Sequence, residues 1–185
     1  MPWEEADRWS RGSKRADFYA KSARPHLGDR ERERDRSKVV TPEDMPWEDS
    51  PQGRLKHICN ADMAVRVNAV DAYMQELPPG GRSGKHRHMA DEILYVLEGK
   101  GYDLHWDVDL GLGTTYEWKV AAEPSRWEWE EGDLVWIPPN TVHQHFNADP
   151  ARPARFISAQ NRMFKHMGYD DVEQIEPAPG GSGRS

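Results

Sequence analysis

Short apolar runs separated by glycine and proline turns fill the middle of this 185-residue chain. Between residues 54 and 162, β-prone runs alternate with turn signals such as the Pro-Pro-Gly-Gly of 78–81 and the Pro-Pro-Asn of 138–140. No long helical period interrupts this stretch, whereas a parallel α/β sheet needs helices between its strands. The pattern therefore predicts an all-β sandwich or barrel over residues 54–162.

The segments on either side of this domain have a different composition. Residues 1–38 are rich in both arginine and glutamate and carry apolar residues at helical spacing. Residues 1–53 are therefore predicted to be a charged, partly helical N-terminal extension that ends in a proline-containing linker arm. Residues 163–185 end in a proline- and glycine-rich stretch that cannot pack, so they are predicted to be a C-terminal tail with a flexible end.

Charge and cysteine content restrict the partners and the compartment that are expected. A formal net charge of −7 disfavours nucleic acid as the main partner. No apolar run has the length of a membrane helix, and the N-terminus lacks the pattern of a secretory signal. The single cysteine, Cys59, rules out an internal disulfide and suits a reducing compartment. The sequence thus predicts a cytoplasmic protein with no nucleic-acid partner and no membrane partner.

Two histidine pairs carry the strongest chemical signal in the sequence. His86 and His88 form one pair, and His143 and His145 form the other. Residues two apart on a strand point to the same face, so each pair can direct two imidazoles into one interior. Glu92 follows His88 closely enough for a tight turn to return its carboxylate to the same point. Three imidazoles and one carboxylate suit Fe(II), Mn(II), Ni(II), Cu(II) or Zn(II), and the alternative is a set of unrelated surface histidines.

The spacing of these residues among glycines resembles the two sequence motifs of the cupin superfamily. The first motif is matched at every position by Gly80, His86, His88, Glu92 and Gly99. The second motif is matched by Gly132, Pro138, His143 and Asn147. The one departure is Asn140, which stands where the family usually has glycine but which tolerates a positive φ in a turn.

The resemblance implies both a fold and a metal site. The implied fold is the cupin double-stranded β-helix, a jelly-roll barrel that holds its metal inside one mouth. By motif position, the implied ligands of one divalent metal ion per chain are His86, His88, Glu92 and His143. Fe(II) or Mn(II) is favoured for this site, and Ni(II), Cu(II) or Zn(II) is possible.

Further side chains are candidates for catalysis or substrate binding. Glu92 is predicted to act as a general base as well as a ligand. His145 is predicted either as a catalytic base beside the metal or as a core histidine. Arg66 is a candidate for pairing with a substrate carboxylate, with an outward-facing arginine as the alternative. Trp106 is a candidate substrate contact, although strand parity does not decide whether Trp106 or His105 faces the interior.

A cupin barrel does not by itself fix a reaction, because the same fold serves many activities. The site resembles those of the gentisate-type and quercetin-type dioxygenases. It therefore predicts an Fe(II)- or Mn(II)-dependent oxygenase acting on a small aromatic or dicarbonyl/carboxylate substrate. The alternatives are a non-oxidative metal-dependent lyase, isomerase or hydrolase, and a non-enzymatic small-molecule-binding cupin. Besides this substrate, the expected partner is a second copy of the chain, in a homodimer with residues 39–60 crossing between the protomers.

Overall fold

The structure is a computed structural model that describes residues 34–169 and 172–180. The chain divides into two units after Arg36, and every feature below lies in the second unit. The helices predicted near the N-terminus fall outside the described residues. In the part of the chain that is described, no helix is long and apolar enough to cross a bilayer.

Strands account for nearly all of the regular structure, which confirms the predicted all-β fold. Within the described ranges, the exceptions are a 3-10 turn (Pro42–Asp44), one short helix, α1 (Met163–His166), and two helical residues at 34–35. The strands are β1 (Trp47–Ser50), β2 (Gly53–Cys59), β3 (Val70–Leu77), β4 (Lys85–Arg87), β5 (Glu92–Glu98), β6 (Lys100–Trp106), β7 (Val108–Leu112), β8 (Tyr116–Val120), β9 (Ser125–Glu130), β10 (Leu134–Ile137), β11 (Val142–Asn147), β12 (Ala154–Asn161) and β13 (Glu173–Glu176).

These strands form two main antiparallel sheets, as expected for a jelly-roll. The first sheet has the order β1-β2-β3-β12-β5-β10, and the second has the order β13-β4-β11-β6-β9. Strands β7 and β8 pair with each other in a separate hairpin. Residues that are distant in the sequence, such as those of β3 and β12, therefore lie side by side.

Alternation along the strands places the core between the sheets. On β5, Leu94 and Val96 are buried while Ile93, Tyr95 and Leu97 are exposed. The buried positions of β5 pack with residues of β3, β9, β10 and β12 in one apolar cluster. Burying each such side chain contributes roughly 1.5–3 kcal/mol relative to leaving it exposed. The apolar cluster stabilises the wall from which the polar residues of the site project.

Asn140 lies in the turn before β11, where the second motif contacts the first. It has a φ of 61° and is the only non-glycine residue with a positive φ in the described ranges. Its backbone N–H donates to the carbonyl oxygen of His88 at 2.8 Å. The expectation that asparagine takes the usual place of glycine here is confirmed, and the turn brings β11 next to the chain that follows His88.

Residues 47–59, which the sequence places in the linker or at a dimer contact, lie in the chain's own first sheet. Strand β1 pairs with β2, and β2 pairs with β3. Leu55 and Cys59 point inward and are buried. Pro51, the one proline of this segment, lies between the two strands, so it does not interrupt the pairing. The predicted domain boundaries at 53/54 and 162/163 stay predictions.

Candidate metal centre

Four side chains from both sheets meet inside the barrel. His86 lies on β4 directly opposite His143 on β11, because the two residues are paired across these strands. His88 follows β4, and Glu92 is the first residue of β5 in the other sheet. One nitrogen or oxygen atom of each residue lies within 4.8 Å of the corresponding atoms of the others. All four residues are buried, with His86 and His143 fully enclosed.

Backbone carbonyl groups orient the three imidazoles. Nδ1 of His88 lies 2.8 Å from the carbonyl oxygen of Ala90, and Nδ1 of His143 lies 2.9 Å from that of Thr141. Nδ1 of His86 makes a longer contact of 3.3 Å with Gly84. A carbonyl oxygen only accepts hydrogen bonds, so each Nδ1 must carry the proton. In the neutral form of each ring the lone pair then lies on Nε2, the atom that the ring presents to the centre.

The donor atoms fit a divalent cation. Nε2 of His86 and Nε2 of His143 are buried and have no hydrogen-bond partner among the described residues. Burial, followed by the proximity of other imidazoles, lowers the pKa of His86 well below its ordinary value. Burial likewise lowers the pKa of His143. Neutral imidazoles with free lone pairs are the form that binds a metal, and buried atoms of this kind need a partner.

Glu92 directs its two oxygen atoms toward different partners. Oε2 lies 2.8 Å from Nε2 of His88 and 3.6 Å from Nε2 of His143. Oε1 accepts hydrogen bonds from the hydroxyl groups of Tyr73 and Ser158. Burial alone would raise the pKa of Glu92, but the nearby His143 and His88 outweigh it and hold the pKa well below the ordinary value. The carboxylate is therefore ionised and has one oxygen available to a cation.

A second buried polar group lies beside these four residues. His145 points into the interior, and Nδ1 of His145 lies 3.0 Å from Oδ1 of Asp103. Trp129 donates its indole N–H to the same oxygen at 2.8 Å, and Nε2 of His105 lies 3.6 Å from Oδ2. The rings of His145 and His143 have their centroids 5.4 Å apart. The site is therefore larger than the four ligands that the motifs imply.

Asp103 and Trp129 were missed by the sequence reasoning. The sequence signal for Asp103 is the alternation of side chains along β6. Asp103 and His105 are two residues apart, so they share the inward face. The pairing of His105 with His143 fixes that face. An isolated aspartate gives no such indication until one neighbouring residue is known to face the interior.

The two predicted substrate contacts lie away from the four ligands. Trp106 is on the outer face of β6, where Nζ of Lys85 lies 3.8 Å from the centroid of its ring. The inward position is taken by His105. Arg66 is half-buried in the loop between β2 and β3, where its backbone N–H donates to Ser37. The substrate-binding roles of Arg66 and Trp106 stay predictions.

A cleft opens at the seam between β9 and β10, next to the centre. The cleft has a volume of about 470 Å³, and its lining includes His105, Trp127, Leu134, Val135, Trp136 and Pro138. The ring of His105 also lies 6.4 Å, centroid to centroid, from that of the ligand His143. This tryptophan cleft combines aromatic walls with an imidazole close to the candidate metal ligands, which is typical of small-molecule sites.

Comparison with known proteins identifies the family of the chain. A family model described as auxin binding protein matches residues 32–172. An auxin-binding protein of Nicotiana tabacum is 28% identical over 130 residues, which are 69% of this chain and 66% of that protein. A germin-like protein of Arabidopsis thaliana is 30% identical over 105 residues, which are 55% of this chain and 42% of that protein. The matched part of the chain thus spans just under two thirds of the tobacco relative.

Solved structures give the same fold at lower sequence identity. A variant of the oxalate decarboxylase of Bacillus subtilis superposes with a TM-score of 0.54 at 14% identity. The match covers 72% of this chain and 31% of the decarboxylase chain, so it supports the architecture and not the activity. The family match extends over most of the chain and includes both histidine motifs. The chain is therefore a cupin that belongs to the auxin-binding protein family.

Proposed function

We propose that the protein is a mononuclear metal-dependent cupin enzyme, an Fe(II)- or Mn(II)-dependent oxygenase of a small aromatic or dicarbonyl/carboxylate substrate. One observation carries this proposal. Three imidazoles of fixed orientation and one anionic carboxylate oxygen meet in a buried interior, next to a cleft of small-molecule size. A complete set of four ligands leaves coordination positions for substrate oxygen atoms on a six-coordinate ion.

The metal and the protein have separate parts in this proposal. A bound Fe(II) or Mn(II) ion would supply Lewis acidity and one-electron redox chemistry. Mn(II) has support from the oxalate decarboxylase of similar fold, which is described as having Mn(II) centres. The protein side chains would bind and orient the substrate. Trp127 and Trp136 offer flat apolar surfaces to an aromatic ring. The ring of His145 lies 5.4 Å, centroid to centroid, from that of His143, so His145 is the candidate to exchange a proton with a bound substrate.

The first test of the proposal is the metal itself. Protein purified without added metal should contain close to one equivalent of divalent metal per chain. The His86→Ala/His143→Ala variant should lose that metal, because three ligand atoms or more are needed to hold the ion. The variant should remain folded. His57→Ala is the matched control, since His57 lies outside the site and pairs with Glu48. Full metal content in the double variant would overturn the assignment.

Oxygen dependence then separates the enzyme classes. Catechols, gentisate-like acids, β-diketones and oxalate are screened with Fe(II)- and Mn(II)-loaded protein, with and without air. An oxygenase should consume dioxygen and turn over only in air. Turnover at the same rate without dioxygen would favour the non-oxidative alternative, a lyase, isomerase or hydrolase on the same metal.

A second candidate function is the binding of a small aromatic acid without turnover. The observation that favours it is family membership together with the tryptophan cleft beside the proposed metal. The relatives are described as auxin-binding proteins, so an auxin is the appropriate probe. Titration of metal-loaded protein with an auxin should give one site per chain, and recovery of the unchanged auxin after incubation would favour binding over catalysis. Replacing Trp127 with alanine should weaken that binding.

A further inference from the structure

Tyr73 and Ser158 face the interior at the same level of the first sheet. They are direct cross-strand partners in the pairing of β3 with β12. Both are buried, with Ser158 fully enclosed. The neighbouring inward positions on these strands, Gln75 and Phe156, also point into the barrel. Two hydroxyl groups from distant parts of the sequence are thus placed together beside β5, the strand that begins with Glu92.

Both hydroxyl groups converge on a single atom, Oε1 of Glu92. The oxygen of Tyr73 lies 3.2 Å from it, and the hydroxyl of Ser158 makes a short contact with it. Tyr73 also lies 3.4 Å from Oε1 of Gln52, but an ionised carboxylate is the stronger acceptor and is closer. A carboxylate oxygen only accepts hydrogen bonds, so both hydroxyl groups donate to it. This oxygen, Oε1, faces away from the imidazoles.

These two bonds leave only one oxygen of Glu92 facing the imidazoles. Oε2 is the atom near His88 and His143, while Oε1 is held on the opposite side. A rotation that brings both oxygens toward one ion would break two hydrogen bonds in a buried environment. Hydrogen bonds to a charged group are stronger than those between neutral groups, and a buried donor left without an acceptor is unfavourable. The carboxylate is therefore fixed in orientation.

We propose that Tyr73 and Ser158 are positioning residues that hold Glu92 as a one-oxygen ligand. The inference rests on the proposed metal site, and it deepens that proposal by assigning the residues that set its ligand count. A carboxylate that binds through two oxygens occupies one more coordination position than a carboxylate that binds through one. Restricting Glu92 to Oε2 keeps that position for a substrate. The hydroxyl pair thus acts on the metal site without contacting the substrate.

The test compares Mn(II) binding by wild type and by the Tyr73→Phe/Ser158→Ala variant. The dissociation constant for Mn(II) should rise about 10–100-fold, the usual effect of removing groups that orient a ligand. Infrared spectra of protein labelled with ¹³C-glutamate give an independent readout. The separation between the two carboxylate stretching bands should narrow in the variant, because Glu92 can then bind through both oxygens.

Matched variants control for general effects of removing hydroxyl groups. Tyr102→Phe and Ser125→Ala remove a tyrosine and a serine hydroxyl from β6 and β9, and they should leave both readouts unchanged. Ser158→Thr keeps a hydroxyl and should retain wild-type bands. If the double variant does not fold, the same two readouts are taken on each single variant. Wild-type affinity and unchanged bands would overturn the inference alone, whereas a wild-type protein that binds no Mn(II), Fe(II) or other divalent metal would overturn the proposed function as well.

Discussion

Nδ1 of His145 lies 3.0 Å from Oδ1 of Asp103 across the pairing of β11 with β6, and neither side chain is exposed. Burial alone would raise the pKa of Asp103, but His145, His105 and Trp129 outweigh it and hold the pKa well below the ordinary value. Burial would lower the pKa of His145, but the charge and hydrogen bonding of Asp103 raise it instead. Each group therefore stabilises the charged form of the other, as in a buried ion pair, next to the candidate metal ligands.

Removing the charge of Asp103 should lower the pKa of His145. In Asp103→Asn, burial acts on His145 without the opposing carboxylate, so its pKa should fall below the ordinary value of about 6.5. The free energy of unfolding should decrease by roughly 3–5 kcal/mol, as is usual when one member of a buried ion pair is removed. The pKa is measured by NMR titration of the imidazole, and the stability by urea denaturation.

Asp109→Asn provides the matched control for this change. Asp109 is an exposed aspartate on β7, in the separate hairpin. Its replacement should alter the free energy of unfolding by less than about 0.5 kcal/mol. An unchanged pKa of His145 in Asp103→Asn would contradict the ion pair, whatever the stability of the variant.

The sequence predicts the ligand positions better than it predicts their surroundings. His86, His88 and Glu92 lie close together in the chain, so local spacing and turn residues suffice to bring them to one region. The contact of Tyr73 with Glu92 depends instead on how β3, β12 and β5 are ordered in the sheet. Strand order is a long-range property that local spacing does not contain.

The same limit explains why the sequence left the orientation of Trp106 open and placed residues 47–59 in a linker. Trp106 and His105 are neighbours on β6, so their side chains point to opposite faces of the sheet. Only the pairing of His105 with His143 decides which one faces inward. Residues 47–59 contain strong turn formers, yet β2 joins the sheet because Leu55 and Cys59 alternate toward the core. In both cases the deciding contact is with a strand that is distant in the sequence.

The stability of the metal-free protein should fall as the pH decreases below about 6.5. His86 and His143 have lowered pKa values in the fold, whereas in the unfolded chain they titrate near 6.5. Between these values the unfolded state binds protons that the folded state does not, so stability decreases with decreasing pH. His145, whose pKa is raised, acts in the opposite direction. Urea denaturation from pH 8 to pH 5 measures the net slope.

The contribution of the two ligands is isolated by a difference measurement. The His86→Gln/His143→Gln variant lacks both titrating groups and retains His145. The free energy of unfolding of wild type minus that of the variant should decrease as the pH falls from about 6.5. A difference that is constant over this range would show that neither imidazole has a lowered pKa.

The homodimer stays a prediction, and the structure offers a defined surface for it. The outer face of β5 exposes Ile93, Tyr95 and Leu97, which form a row of apolar side chains on a sheet. An Ile93→Glu/Tyr95→Glu variant should therefore sediment as a monomer at concentrations where wild type is a dimer. Trp118→Glu, on the separate hairpin, is the control and should remain dimeric. A monomeric wild type at micromolar concentration would contradict the prediction.

The last prediction concerns the proton acceptor in the proposed reaction. Glu92 and His145 are both candidates, but Glu92 is held by two hydroxyl groups and is directed at the ligand nitrogens. Nε2 of His145 is buried and has no hydrogen-bond partner among the described residues. These contacts favour Glu92 as a ligand alone and the neutral form of His145 as the base. Turnover per bound metal distinguishes the two roles, because it removes the effect of lost metal.

Glu92→Gln should weaken metal binding, since the amide lacks the negative charge, while the metal-loaded fraction keeps most of its turnover. His145→Gln should retain the metal, because all four ligands remain, but lose about 10²–10⁴-fold in turnover, the usual contribution of a general base. Both variants are assayed on the substrate found in the oxygen screen, with bound metal measured in each sample. If Glu92→Gln shows the large loss and His145→Gln does not, the carboxylate must leave its two hydroxyl partners during the reaction and act as the base.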